Sequence, residues 1–236
     1  MNKIFQAIML ILFSVGVIAG MTFAIFTTIA ALEANTYWGY VPPAKETLRL
    51  LCPRLIDHDE TGTVSIQVTN DVEKEIEPLV WTVISDPGIF SSYSMRLSIP
   101  PGENQTLNYS VSKDDRVFKY LILVKVIQYA AFKTPMRNAF CGILVMDLPF
   151  NGNTVLIATL VISLLGMLAG VVMWITLDHS HPLDRVKVTR AMVSVLVCIT
   201  IAMALGWLKI WLLAVLTIAI SFLMIGEVVR SFIAAK

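Results

Sequence analysis

Any chemistry in this chain of 236 residues has to come from a handful of side chains. Three histidines are present: His58 in the run Asp57, His58, Asp59, Glu60, and His179 and His181 in the tetrapeptide DHSH. The first run offers carboxylate and imidazole ligands of the kind that hold a cation. Its ligands are contiguous, without the graded spacing by which an EF-hand loop wraps calcium, and the same residues read equally as a solvated loop before a strand. Two histidines at i and i+2 do not make a zinc site, and a helix end followed by Pro182 accounts for them. No nucleophile, base and acid are spaced as a catalytic set, so the expectation is a protein that is not an enzyme, with no metal and no cofactor.

Cysteine gives the other reactive group. Cys52 and Cys141 fall near the first and last strands of one predicted domain, where an oxidising compartment would join them. Closing so long a loop contributes on the order of 4 kcal/mol by chain entropy. The alternative is two buried thiols. Cys198 lies in an apolar segment and reads as a small side chain without chemistry. Asn104 in NQT and Asn108 in NYS match the glycosylation sequon. Such matches also arise easily in polar turns, and they carry meaning only in a source that glycosylates.

The elements that position these residues follow from composition. Hydrophobic residues make up 56% of the chain and charged residues 15%, against about a quarter charged in ordinary soluble domains; with a mean hydropathy of +0.74, part of the chain belongs in lipid. A formal net charge of +1 with no basic run excludes a nucleic-acid partner. Charge-free windows run from Ile4 to Leu32 and from Leu148 to Leu177, each beyond the roughly 20 residues that cross a bilayer. Two shorter windows, Ala191 to Leu208 and Ile210 to Gly226, flank Lys209 and read as a helical hairpin turning at Gly206 to Lys209. The first span is too long for a signal peptide and no A-x-A site follows it, so it is expected to stay as an anchor.

Orientation comes from the short loops. Arg185, Lys187 and Arg190 lie between spans two and three, whereas the later turn carries only Lys209. The positive-inside bias then sets both termini in the cytoplasm and residues 33–150 outside, in an integral protein of the cell membrane. Tyr37, Trp38, Tyr40, Trp207 and Trp211 would sit at the outer interface. The predicted organisation is helix 1 over 1–32, an external domain over 33–150, helix 2 over 151–177, a cytoplasmic loop over 178–190, helix 3 over 191–208, helix 4 over 209–229 and a tail over 230–236.

The external domain alternates like a half-buried sheet. Val64, Ile66 and Val68 share one face, as do Leu79, Trp81 and Val83, then Met95, Leu97 and Ile99, and finally Leu107, Tyr109 and Val111. "PPGE" is a turn, since proline presets a bend and glycine accepts positive φ. TLRLLC, FKYLILVKV and FCGILVMDL complete about seven strands, the pattern of an antiparallel sandwich. The stretch VTND…IPPGENQTLNYSV resembles bacterial Ig-like or fibronectin-like modules, in which a proline-glycine turn joins two late strands. It departs from a true immunoglobulin domain in that Ala139 replaces the corner tyrosine and Cys52, Trp81 and Cys141 are widely spaced.

The fold class is therefore α + β: four transmembrane helices with an Ig-like antiparallel β-sandwich inserted after the first. Gly16 and Gly20 in span one, and Gly166 and Gly170 in span two, have the GxxxG spacing that lets helix backbones approach, either each other or a neighbouring subunit, unless the glycines are merely compositional. The spans offer few groups for an ion path: Gln6 near one end and Glu227 near another, the latter three residues from Arg230, and otherwise only serine, threonine and cysteine. The expected function is a non-catalytic accessory or scaffold subunit, touching lipid, other membrane subunits or copies of itself, and an extracytoplasmic protein. A channel or small-solute transporter subunit is the first alternative, and a surface ligand-binding or sensor protein the second.

Overall fold

The computed structural model describes residues 3–38, 48–88, 90–177, 182–208 and 210–234. They form two compact units, one of Ala30–Asn153 and one of Met1–Ile29 with Thr154–Lys236. Tyr40, the DHSH run at 178–181 and Lys209 lie outside the described residues, as do the side chains of Gln6, Arg185, Lys187, Glu227 and Arg230.

Four helices are described: α1 Lys3–Trp38, α2 Gly152–Leu177, α3 Pro182–Trp207 and α4 Trp211–Ala234. Three are long and apolar enough to cross a membrane, over Ala7–Trp38, Gly152–Thr176 and Val188–Trp207; the apolar stretch of α4, Trp211–Gly226, is shorter. Two predicted boundaries shift. α1 continues through residues 33–38, assigned from the sequence to the β domain, and α3 begins at Pro182 rather than 191. Polar residues mark where a helix leaves hydrocarbon, not where it ends, and proline fits a first helical position because the N–H it lacks would have no partner there.

The other unit is a sandwich of eight strands: β1 Arg49–Leu51, β2 Leu55–Asp57, β3 Gly62–Thr69, β4 Leu79–Ile84, β5 Ser91–Arg96, β6 Asn104–Val111, β7 Leu121–Gln128 and β8 Arg137–Met146. One sheet has the order β1-β3-β6 and the other β2-β8-β7-β4-β5. The predicted antiparallel sandwich is corrected to a mixed one, because β2 runs parallel to β8. Strand β2 went unread because it is three residues long and its last, Asp57, opens the run taken for a loop.

Alternation explains the core. Val64, Ile66 and Val68 of β3 face Leu107 and Val111 of β6 and, from the other sheet, Ile122, Val124 and Ile143. The turn reads as predicted: Gly102 has φ +72°, and its N–H donates to the carbonyl of Asn70. Fully buried Asn70 in turn donates its side-chain amide to the carbonyls of Lys74 and Ile99. On β4 the predicted face is the wrong one: Val80 and Ile84 enter the core with Thr82 between them, and Leu79, Trp81 and Val83 point away. The sequence misled here because Val83 is buried too, under a second cover described below. Just past β5, Leu97 and Ile99 are buried as expected, whereas Met95 on β5 stands exposed at the sheet edge.

Cys52, just after β1, is bonded to Cys141 on β8, so the bridge links the two sheets across the core and spans 89 residues of sequence. Restricting a loop of that length in the unfolded chain is worth on the order of 4 kcal/mol. Thermal unfolding of the Cys52→Ala/Cys141→Ala variant, followed on the sandwich by far-ultraviolet circular dichroism, is expected to show a loss of that order; an unchanged midpoint would contradict it.

Candidate functional site

The outer face of the five-stranded sheet is as apolar as its inner face. Val83, Leu121, Leu123 and Leu144 lie on it, and all are buried. The cover is the C-terminal end of α1. Ala30 and Ala34 are buried there, and a side-chain carbon added to Gly142 of β8 would land on the carbonyl oxygen of Ala30. Glycine at that point lets a helix backbone lie directly on a strand backbone. Farther along, the Lys125 ammonium sits 5.1 Å from the centre of the Trp38 ring, a cation–π contact. Trp38 also meets Phe90 at 5.2 Å and Tyr37 edge-on at 5.3 Å. Sequence reading missed this seat. Its one signal was Gly142, an isolated glycine inside the strand pattern FCGILVM.

The acidic run is engaged with the chain's other exit. Asp57 accepts a hydrogen bond from the Leu148 N–H at 2.8 Å, and Glu60 accepts from Gly152, the first residue of α2, at 2.8 Å and from Asp57 N–H at 2.9 Å. A carboxylate at the start of a helix meets the unpaired N–H groups there. His58 lies 3.3 Å from Asp147 and 3.2 Å from Arg116, and Asp59 pairs with Lys113 at 2.9 Å. All four residues of the run thus have protein partners, and among the described residues no group of three or more acidic, histidine or cysteine side chains is arranged to hold a metal.

These contacts leave a titration signature. The Leu148 N–H bond, joined by those of neighbouring backbone amides, holds the Asp57 carboxyl below the usual carboxylate range. Burial pushes Asp115 the other way, although it accepts from the Ser112 N–H at the capping box of the 3₁₀ turn Lys113–Asp115.

Beside the helix end lies an open groove of about 1240 Å³, with Tyr37, Phe90 and Phe118 along its apolar side and Asp86, Lys113 and Arg116 among its polar ones. Phe118 and Lys119 both have positive φ, at 53° and 69°, an uncommon conformation for side-chain-bearing residues. Phe118 is 60% exposed, its ring centre 6.3 Å from that of Tyr37. Charges of both signs on the rim give the groove no preference for an anion or a cation.

In the helical unit, the four glycines named from the sequence come together. A side-chain carbon on Gly16 would stand 2.5 Å from the Met167 nitrogen, one on Gly166 would stand 2.9 Å from the Leu12 oxygen, and one on Gly170 would stand 2.7 Å from Phe13 Cβ. Gly20 faces Ser163 of α2 and Ile199 of α3. Of the two readings of this stripe, α1 against α2 is the contact seen within the chain.

No family model matches the chain, and no curated protein matches it. Solved structures give partial likenesses. The CARDB domain of a Pyrococcus furiosus protein in complex with di-metal ions is similar at 11% identity and TM-score 0.36, over 47% of this chain and all of that one. The superoxide reductase neelaredoxin from Ignicoccus hospitalis is similar at 16% identity and TM-score 0.31, over 42% of this chain and 80% of that one. Red sea bream transglutaminase is similar at 16% identity and TM-score 0.33, over 44% of this chain and 17% of that one. Likenesses at these scores carry no argument about activity, and the sandwich assignment rests on the strand pairing given above.

Two expectations follow from the geometry. Gly142→Val forces the end of α1 off its strand, at a cost of about 1–3 kcal/mol as for other overpacked sites; amide hydrogen exchange over residues 30–38 is expected to quicken, and unchanged protection there would contradict the seat. Native Asp57 binds its proton less tightly than the unfolded chain does, so its stabilising contribution is present above the ordinary carboxylate value and is lost as pH falls through the depressed native one. Asp115 acts with the opposite sign, so the readout has to be local: the protection factor of the Leu148 amide, relative to its intrinsic exchange rate at each pH, is expected to fall in acid, and in Asp57→Asn to lose that acid-side change.

Proposed function

We propose that this protein is a non-catalytic accessory or scaffold subunit of a larger membrane complex, presenting its sandwich on the non-cytoplasmic side of the cell membrane with both termini in the cytoplasm. The observation that carries the reading is that the sandwich is secured at both of its chain exits. The end of α1 is part of its hydrophobic structure through Ala30, Ala34 and Gly142, and the first N–H of α2 is held by Glu60. Each exit leads into a helix long and apolar enough to cross a bilayer. A domain that packs the end of one flanking helix and holds the first N–H of the other suits a fixed contact inside an assembly, since less ordering entropy remains to be lost when a partner docks. The charge distribution of the short loops supports the orientation.

The experiment is extraction of the full chain from its own membranes in mild detergent, with cross-linking and identification of companions. A stable set of integral partners is the expected result; a lone monomer in every detergent would end the proposal. Flux through liposomes that contain this chain alone would instead favour the channel or transporter alternative.

The aromatic-sided groove at Tyr37, Phe90 and Phe118 favours one second reading, a surface module that binds a small ligand. Its volume of about 1240 Å³ is somewhat larger than the roughly 300–1,000 Å³ of ligand pockets. Native mass spectrometry that found a small molecule retained by the wild type and lost in Phe118→Asp would put this reading first.

A further inference from the structure

The two sequons acquire a context once the strands are placed. Asn104 and Asn108 both belong to β6, the edge strand of the three-stranded sheet, and not to the PPGE turn that precedes it. Residues four apart on a strand share a face. Here that face is the outward one, since Leu107 and Val111 between and beyond them point into the core. Both asparagines are exposed, as are the sequon hydroxyl residues Thr106 and Ser110. Successive asparagines stand about 14 Å apart at the rise of a strand, which leaves room for two substituents.

The rest of the face is unusual in a second, independent way. Along their eight paired residues, β3 and β6 send outward only threonine, serine, glutamine and asparagine, and β1, at the opposite edge of the sheet, adds the exposed Arg49 and Leu51. Asn104 lies opposite Thr69, and Asn108 lies opposite Ser65, whose hydroxyl donates to the Asn108 amide oxygen at 2.7 Å. That bond occupies the oxygen of Asn108 and leaves the nitrogen directed to solvent chemistry. The β3–β6 part of the face, away from Arg49 and Leu51, has neither charge nor apolar side chains and lacks the aromatic anchors that carry protein interfaces. It equally lacks the aromatic platform on which a sugar ring would be captured as a ligand. What such a surface does tolerate is a bulky hydrated substituent, and an edge strand gains from one, because it shields backbone groups that would otherwise pair with another chain.

We infer that Asn104 and Asn108 are N-glycosylation sites and that the paired glycans cover the outer face and free edge of the three-stranded sheet. In the reaction the carboxamide nitrogen attacks the anomeric carbon of an oligosaccharide carried on a lipid pyrophosphate. The carbon–nitrogen bond forms, the carbon–oxygen bond to pyrophosphate breaks with its electron pair leaving on the lipid pyrophosphate, and the amide proton passes to a base of the transferase. The inference rests on the proposed placement of the sandwich outside the cytoplasm, where such transfer takes place.

The test is the intact mass of the full chain purified from its native membranes. The polypeptide alone is 26.2 kDa, and the expected result is that mass plus two glycans. One is lost in Asn104→Gln and one in Asn108→Gln, and the same losses occur in Thr106→Ala and Ser110→Ala, which keep the asparagines. The tryptic peptide Leu97–Lys113 from the wild type carries both. A chain at bare polypeptide mass, or a mass increment that none of these substitutions changes, overturns the inference. Labelling of Ser94→Cys on exposed β5 with a membrane-impermeant maleimide separates the causes. An unmodified chain labelled in intact cells refutes glycosylation and keeps the orientation, whereas labelling only after permeabilisation refutes both.

Discussion

A sheet that is apolar on both faces has to be covered twice, and the five-stranded sheet of this protein meets that requirement with its own neighbouring helix. Its inner face is buried against the three-stranded sheet, and its outer face lies under Ala30, Ala34 and Trp38. The contact depends on backbone approaching backbone at Gly142, for which no residue with a side chain substitutes without displacement. Burying side chains such as Leu121, Leu123 and Val83 contributes roughly 1.5–3 kcal/mol each, well above what any single polar contact at the same seat supplies. The helix end is therefore part of the sandwich, and the boundary between the two compact units falls inside α1 rather than at its end.

This double cover also explains what could be read from the sequence and what could not. Strands facing solvent on one side announce themselves by alternation, and β3 and β6 were legible residue by residue for that reason. Strands buried on both sides lose alternation. On β4 the choice between Val80, Thr82, Ile84 and Leu79, Trp81, Val83 could not be made from hydrophobicity, because the core row contains a threonine and the outer row a buried valine. The continuous run LILVKVIQ of β7 carried the information that a second layer was needed, without saying which element supplied it. Parallel pairing of β2 with β8 left no local trace at all, since three residues show no period.

The candidate site follows the same division. Cysteine, glycine and sequon residues are recognisable by type, and the structure gives their partners: Cys52 to Cys141, and Gly16 to Gly166 across α1 and α2. The acidic run Asp57 to Glu60 was recognisable by type as well, but its purpose was not, because the N–H groups it satisfies at Leu148 and Gly152 lie about 90 residues later. Asp57 and Glu60 accept from the backbone of the chain's exit, and Asp59 pairs with Lys113. The groove beside Tyr37 was not legible either, since it draws on a helix end, a loop and a turn held at positive φ.

Which surfaces remain for a partner is fixed by how the faces are used. The outer face of one sheet is occupied by α1, and that of the other is a neutral polar ladder on β3 and β6 with the exposed Arg49 and Leu51 of β1 at its far edge. Exposed aromatic side chains of the sandwich, among the described residues, stand instead at turns and on the edge strand β5: Tyr93, Phe118, Tyr120, Tyr129, Phe132 and Phe150. Phe90, on the groove wall, leads directly into β5. Hot spots of protein contacts favour such aromatic anchors over aliphatic or hydroxyl surface, and Ig-like sandwiches characteristically present their loops at the ends. Under the proposed reading a partner would meet the rim and edge, because one broad face is occupied by α1 and the β3–β6 part of the other offers no aromatic anchor.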